Sequence, residues 1–258
     1  MLMQMKAITE GLRALMYTTA WYSDMAHHGP KKTRERFQNL LDIHIPICKS
    51  FGTDQGFEVA NIGIQVLGGA GFTQNFPLEQ NARDQKIGSI YEGTNGIQAL
   101  DLVGRKFNSK EGQLIKYLED ELYWFDKNTP SGEIASWVTE WEIYRTIMFE
   151  SIESLKNIGK IEGKDAYSLY AVNMLNLMGD VLCCFNLLKQ ASAAKIRWDT
   201  FLEGELSREK LLEENEEARF YWNKLCTTEF YVWSVLPRAL SSAKIIKNSN
   251  LSPLKAHL

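Results

Sequence analysis

Two features of the sequence have residue types and spacing that could do chemistry. Gly68, Gly69 and Gly71 cluster where a helical pattern stops, and glycine is the residue whose backbone can turn left-handed or lie flat against a ligand. Glu92 stands in Ile90-Tyr91-Glu92-Gly93-Thr94, between an apolar run and a glycine, at the start of another helical pattern. That setting predicts a desolvated carboxylate with its pKa raised towards that of a working base. Each feature alone also has a purely structural reading. A glycine C-cap needs no ligand, and a carboxylate at a helix start satisfies free N–H groups. A dinucleotide-binding loop is a poor rival, because no strand pattern precedes the glycines and GGAGF lacks the third glycine of that fingerprint. The histidines read as structural: His27-His28 adjoin a helix stop where adjacent side chains diverge, and His44 has no ligand partner at useful spacing and reads as packed core. Cys48, Cys183, Cys184 and Cys226 show no paired metal spacing and read as reduced thiols of a cytoplasmic protein, so no metal site is expected.

The order of residues from 65 to 98 carries more than either feature. Gln65 with Gly68-Gly69-Ala70-Gly71-Phe72-Thr73 leads to Pro77 and Glu79, then Arg83-Asp84, Lys86-Ile87 and Ile90-Tyr91-Glu92-Gly93-Thr94-Asn95. This stretch closely resembles the C-terminal signature of the acyl-CoA dehydrogenases, flavoenzymes that desaturate acyl-CoA thioesters between the α and β carbons. The resemblance implies that Glu92 is the catalytic base. It also implies contacts to FAD from Gln65, Val66, Leu67, Gly68 and Gly69, and from Thr94, Asn95 and Gly96, while Gly93 leaves room for the thioester beside the backbone. Many members carry Glu or Gln where this chain has Gly96, so no side-chain contact to the flavin is expected there. The implied chemistry is coherent. A thioester α-proton is weakly acidic, so its removal needs a close base, hydrogen bonds on the carbonyl oxygen and an acceptor for the β-hydride. In the family these are the glutamate, its own main-chain N–H with a ribityl hydroxyl, and flavin N5. An acyl-CoA substrate, an electron-transfer flavoprotein or similar acceptor, a homodimer or higher homo-oligomer, and a place in fatty-acid β-oxidation follow from the same resemblance.

The elements that must position these residues are helical, and the expected fold class is all-α. Apolar residues spaced by three and four predict a helix over 3–26, stopped by His27-His28-Gly29-Pro30. A second is expected over 33–51 with a kink at Pro46, and a third from a Thr53-Asp54 cap to Gly68-Gly69. A short helix begins at Pro77, anchored by an ion pair between Arg83 and Asp84, and another runs over 93–105. The polar stretch 109–112 marks a change of texture. Residues 1–108 are therefore read as a helical bundle carrying the motif, and 109–258 as an additional helical domain, which one branch of the family carries and which 96–106 also resembles. Within it, helices are expected over 114–125, ending before Thr129-Pro130, then over 137–155 and 167–189, next from Trp198 through the charged run 207–219, and last over 231–246, interrupted by Pro237. Aromatic stripes at helical spacing read as core, and the acidic run 213–217 as a solvated face.

Composition bounds the partners. The chain has 258 residues, 45% of them apolar, enough for a substantial core. With 29 basic and 32 acidic residues and a net charge of -3, it offers no electrostatic footprint for nucleic acid or an anionic membrane. No leader pattern and no apolar run of membrane-span length is evident. The resemblance covers essentially all of this chain, yet the chain covers only the later part of the family's architecture, without the N-terminal helical and middle β domains. It reads as a fragment that is inactive alone. The alternative is a non-catalytic helical interaction or assembly module that retains the signature.

Overall fold

A computed structural model describes residues 1–128, 130, 132–204 and 207–256. The expected stop at Thr129-Pro130 includes Thr129, which lies outside the described residues. Helices make up the fold, and no strand occurs among the described residues. α1 (Leu2–His28) and α2 (Lys31–Leu67) pack together as a hairpin turned at Gly29-Pro30. The two helices expected over 33–51 and 53–67 are one. Pro46 sits inside α2 without ending it, and Thr53 caps nothing, because its hydroxyl donates back to the Lys49 carbonyl at 2.8 Å. A Thr whose hydroxyl finds the carbonyl one turn back is compatible with helix interior. After a 3₁₀ turn (Gly68–Phe72) come α3 (Leu78–Ile87) and α4 (Asn95–Leu100), the latter continuing as a π-helical turn over Asp101–Lys106. Arg83 pairs with Glu79 at 3.2 Å rather than with Asp84, since residues four apart share a helix face and adjacent ones do not.

The chain then reverses through three successive left-handed residues, Lys110 (φ 48°), Glu111 (φ 56°) and Gly112 (φ 83°). Beyond lie α5 (Gln113–Leu122), α6 (Trp124–Lys127), α7 (Glu133–Glu162), α8 (Lys164–Ser168), α9 (Ala171–Leu202), α10 (Arg208–Glu214), α11 (Glu216–Phe230) and α12 (Ala239–Asn248). Trp198, expected to open a helix, belongs to the end of α9, and the acidic run 213–217 is split between α10 and α11. Asn215 divides it by accepting the Ala218 N–H at 2.9 Å as an N-cap. Glu213, Glu214, Glu216 and Glu217 are exposed, as a solvated face requires.

α9 is the axis of the molecule. Its residues 174–188 are apolar on nearly every side and almost all buried, the pattern of a helix wrapped by others. It packs against α1, α2, α4, α7, α11 and α12. Contrary to the expectation that no run reaches membrane-span length, it is long and apolar enough to cross a membrane, with mean hydropathy 1.5 in its best window; yet 83% of that window is buried within the protein. A single apolar cluster extends from Ala7 in α1 to Ile246 in α12. Gly179 lets α2 meet α9: a Cβ there would lie 2.4 Å from the Phe51 ring. The Trp141 indole of α7 donates to the Val181 carbonyl at 3.0 Å and stacks on Phe185, so the aromatic stripes are core. Asp180, also on α9, is buried and gripped by the Arg238 guanidinium, with contacts of 2.6 and 2.9 Å.

His44 in α2 is buried, with Nδ1 2.7 Å from the Leu40 carbonyl and its ring edge-on to Tyr22. Burial lowers its pKa from 6.5 to about 4. The folded chain therefore resists a proton that the unfolded chain accepts. Stability is complete above about pH 6.5 and is lost as the pH falls towards 4. The unfolding free energy from urea titration should drop between pH 7 and pH 5, by up to about 1.4 kcal/mol per pH unit for this one proton. A His44→Gln variant should show a shallower dependence across that interval; an equal slope would assign the effect to other groups.

Candidate functional site

The loop between α3 and α4 carries Glu92. Its path is closed by the Tyr91 N–H to the Ile87 carbonyl (3.2 Å) and the Asn95 N–H to the Ser89 carbonyl (3.1 Å). Inside this closure two consecutive residues are left-handed, Glu92 at φ 54° and Gly93 at φ 80°. Gly93 takes that conformation freely. A glutamate there costs about 1–3 kcal/mol and persists only where its surroundings dictate it. The surroundings are a polar clamp on α2. Lys49 Nζ donates to the Gly93 carbonyl and, at 2.9 Å, to Asn95 Oδ1. Asn95 Nδ2 lies 2.8 Å from Asp54 Oδ1, 3.0 Å from Thr53 Oγ1 and 3.1 Å from the Ser50 carbonyl. Thr94 then caps α4, its hydroxyl accepting the Ile97 N–H at 3.3 Å.

Two expectations change here. Glu92 is exposed, so this chain alone does not supply the desolvation its apolar neighbours suggested. Ile90 and Tyr91 turn outward, 55% and 57% exposed, instead of covering it. Asn95, expected at the flavin, has its side chain committed to α2. Gly96 is exposed in the first turn of α4, where an added Cβ would approach only Thr94 Oγ1, at 3.9 Å. The clamp itself was missed. Its signal is the polar stripe Lys49, Ser50, Thr53 and Asp54, spaced as one face of a helix whose flanks are buried.

The second group of candidates lies at the far end of α2. Gln65, Val66 and Leu67 are exposed in its last turn. Gly68 requires glycine for its backbone, φ 58°, and Gly71 for close approach, since a Cβ there would sit 2.5 Å from the Ile64 carbonyl oxygen. Gly69 needs neither; a Cβ at Gly68 or Gly69 would meet no described atom within 4 Å. At 1.5 Å per residue along α2, Gly68 stands roughly 22 Å from Thr53 and the clamp. The two groups are thus not brought together in one chain. Exposed apolar side chains accompany both, among them Phe72 (79%) and Ile97 (56%), more than an isolated surface turn carries. No cluster of three metal-ligating side chains occurs among the described residues.

Comparison with known proteins gives a consistent picture. A family model described as acyl-CoA dehydrogenase, C-terminal domain, matches residues 1–106. One described as acetyl-CoA dehydrogenase C-terminal like matches 148–256. A butyryl-CoA dehydrogenase of Syntrophomonas wolfei is 31% identical over 98% of this chain and 40% of its own length. A 3-methylmercaptopropionyl-CoA dehydrogenase of Ruegeria pomeroyi is 31% identical over 100% of the chain and 42% of its own. The chain therefore spans about 40% of the length of these relatives. Among solved structures, an acyl-CoA dehydrogenase from Bacillus anthracis complexed with FAD shares the fold, with a TM-score of 0.65 over 98% of this chain and 41% of its own at 19% identity. Caenorhabditis elegans ACDH-11 in complex with C11-CoA gives 0.62 over 93% of this chain and 38% of its own at 16% identity.

The clamp makes a testable statement about the loop. Asn95→Ala removes the bonds to Ser50, Thr53 and Asp54, worth about 1–2 kcal/mol together for partly solvated groups. Hydrogen exchange of residues 88–97 should accelerate about tenfold, while exchange in α9 stays as it was. Unchanged protection of the loop would show that something other than Asn95 holds it.

Proposed function

The chain belongs to the acyl-CoA dehydrogenase family, as its C-terminal portion, and from that premise we propose that Glu92 is the base for α,β-desaturation of an acyl-CoA thioester in the full-length protein. The observation that carries this reading is the conformation of Glu92: a left-handed glutamate, fixed by a lysine–asparagine clamp, at the tip of a loop with outward apolar neighbours. Lys110, Glu111 and Ser249 are left-handed too, and what sets Glu92 apart is that the hydrogen bonds tying its loop to α2 through Lys49 and Asn95 hold it in place, as backbone strain at a ligand site requires. Once the rest of the full-length protein covers Ile90, Tyr91 and Ile97, the carboxylate loses its water and becomes a stronger base. Glu92 then takes the α-proton, its main-chain N–H donates to the thioester oxygen, and Gly93 keeps side-chain bulk away from the approaching thioester.

The open backbone at Gly68 and Gly69, flanked by exposed Val66 and Leu67, fits a flat, partly apolar cofactor, which supports FAD in this role. Bound FAD supplies the acceptor for the hydride that leaves the β-carbon. Gln65, Val66, Leu67, Gly68 and Gly69 would hold one part of it and Thr94, Asn95 and Gly96 another. As the family resemblance implies, we assign the two groups, roughly 22 Å apart along α2, to the flavins of two subunits in a homodimer or higher homo-oligomer. The division into a motif-bearing bundle, 1–108, and an additional helical domain, 109–258, belongs to the same reading. So do fatty-acid β-oxidation, a cytoplasmic location and an electron-transfer flavoprotein or similar acceptor.

Two variants of the full-length protein test this. Glu92→Gln should lower turnover on the best acyl-CoA by a hundredfold to ten-thousandfold, about the worth of a general base, with flavin content unchanged; near-normal turnover would remove Glu92 from the role and favour a non-catalytic assembly module. Gly69→Ala meets neither strain nor clash in this chain, so the melting temperature of the flavin-stripped protein should hold while flavin occupancy falls. Gly163→Ala, at φ 89° in equally open space, should do the reverse, losing about 1 kcal/mol of stability and keeping its flavin. Full flavin in Gly69→Ala would reduce the turn to a helix stop.

A further inference from the structure

A second concave site lies away from the Glu92 loop, where the π-helical turn after α4 meets α7 and α8. It is a cavity of about 280 Å³ lined by Val103, Phe107, Leu155, Gly159 and Tyr167, with Lys156, Lys160, Lys164 and Asn108 at its edge. Its wall is built by a wedge. The Tyr167 ring lies so close to α7 that a Cβ on Gly159 would be 3.2 Å from it, and the Tyr167 hydroxyl would be 3.2 Å from a Cβ on Gly104. Two glycines on two elements thus make room for one tyrosine. The Tyr167 hydroxyl makes no hydrogen bond to the described residues. Asn108 uses its amide N–H on the Gly104 carbonyl (2.9 Å), and its side-chain oxygen accepts no hydrogen bond among the described residues. The wider wound turn that precedes Phe107, with the Phe107 N–H reaching the Leu102 carbonyl five residues back at 3.0 Å, is a local geometry that recurs at functional sites.

The charges are one-sided. Lys156 is paired with Glu153 at 2.7 Å, but Lys160 and Lys164 have no carboxylate partner among the described residues. On the far side of Tyr167 a second depression shares Lys164 and Tyr167; its Arg105 is paired with Asp101 and its Asp165 is acidic, so the unpaired positive charge is that of Lys160 and Lys164 alone. An apolar floor with an unpaired cationic edge and a phenolic donor suits a ligand with a short apolar tail and an anionic head. The volume, at the small end of ligand pockets of about 300–1,000 Å³, limits the tail to a short or medium chain.

We propose that this cavity binds a single-chain amphipathic carboxylate, its tail against Val103, Phe107 and Leu155 and its head at Lys160, Lys164 and the Tyr167 hydroxyl. Such a site is separate from the Glu92 loop and does not depend on the reading of that loop. The test uses the full-length protein with octanoate carrying a diazirine in its tail. Photolabelling should saturate and map to peptides covering 103–108 and 155–167. Unlabelled octanoate should compete, whereas octanol, which lacks the anion, and acetate, which lacks the tail, should not. Lys160→Glu with Lys164→Glu changes two exposed side chains, so the melting temperature should hold while labelling falls at least tenfold. Three results would overturn the proposal: labelling absent from those peptides, competition by octanol as strong as by octanoate, or labelling unaffected by the double variant at an unchanged melting temperature.

Discussion

The Glu92 loop hangs on the contact between α2 and α9, where the Phe51 ring occupies the space that Gly179 leaves empty. Burying a phenylalanine side chain contributes about 1.5–3 kcal/mol, and here that burial lies beside the residues that hold the Glu92 loop. Lys49, Ser50, Thr53 and Asp54 lie within three residues of Phe51 on the same helix. The loop is therefore fixed to the core at one remove. Its strained backbone leans on hydrogen bonds, the hydrogen bonds lean on α2, and α2 leans on the apolar axis of the molecule. A substitution at Gly179 would reach the site through this series although it touches no residue of the loop.

Much of this was legible in the sequence. Periodicities of three and four gave the all-α class and the ends of α1, and the linked blocks from Gln65 to Asn95 gave the family. What was not legible has physical causes. The split of α2 at Thr53 failed because a threonine can satisfy its hydroxyl within a helix as readily as cap one. The Arg83-Asp84 pair failed because neighbours in sequence are not neighbours on a helix. Polar Asn173, Asn176, Asp180 and Asn186 interrupt the apolar residues of α9, so no unbroken run of span length stands out although the average hydropathy of the helix reaches that of one. The desolvation of Glu92 is not supplied within this chain, since an apolar run beside an acid covers it only if that run folds inward. Ile90 and Tyr91 face outward, towards whatever covers this surface.

The glycines illustrate the same limit. All three of the cluster look equivalent in sequence, yet Gly68 answers a backbone angle, Gly71 a close approach to Ile64, and Gly69 neither. A residue that the fold of the chain does not explain is a candidate for contact with a ligand or a partner. That reasoning singles out Gly69 more sharply than the motif alone.

The continuity of α2 has a geometric consequence. A straight helix is a ruler and also a protractor, because each residue advances the chain by about 1.5 Å and turns it by about 100°. The clamp at Lys49–Asp54 and the turn at Gly68 sit on the same rod, so both their spacing and their relative bearing are set by the number of residues between them. Insertion or loss of a single residue between Asp54 and Gly68 would swing the glycine turn about a quarter of the way round the helix, leaving each end intact locally but aimed in the wrong direction. This segment is thus free to vary in composition along its exposed face, but not in length.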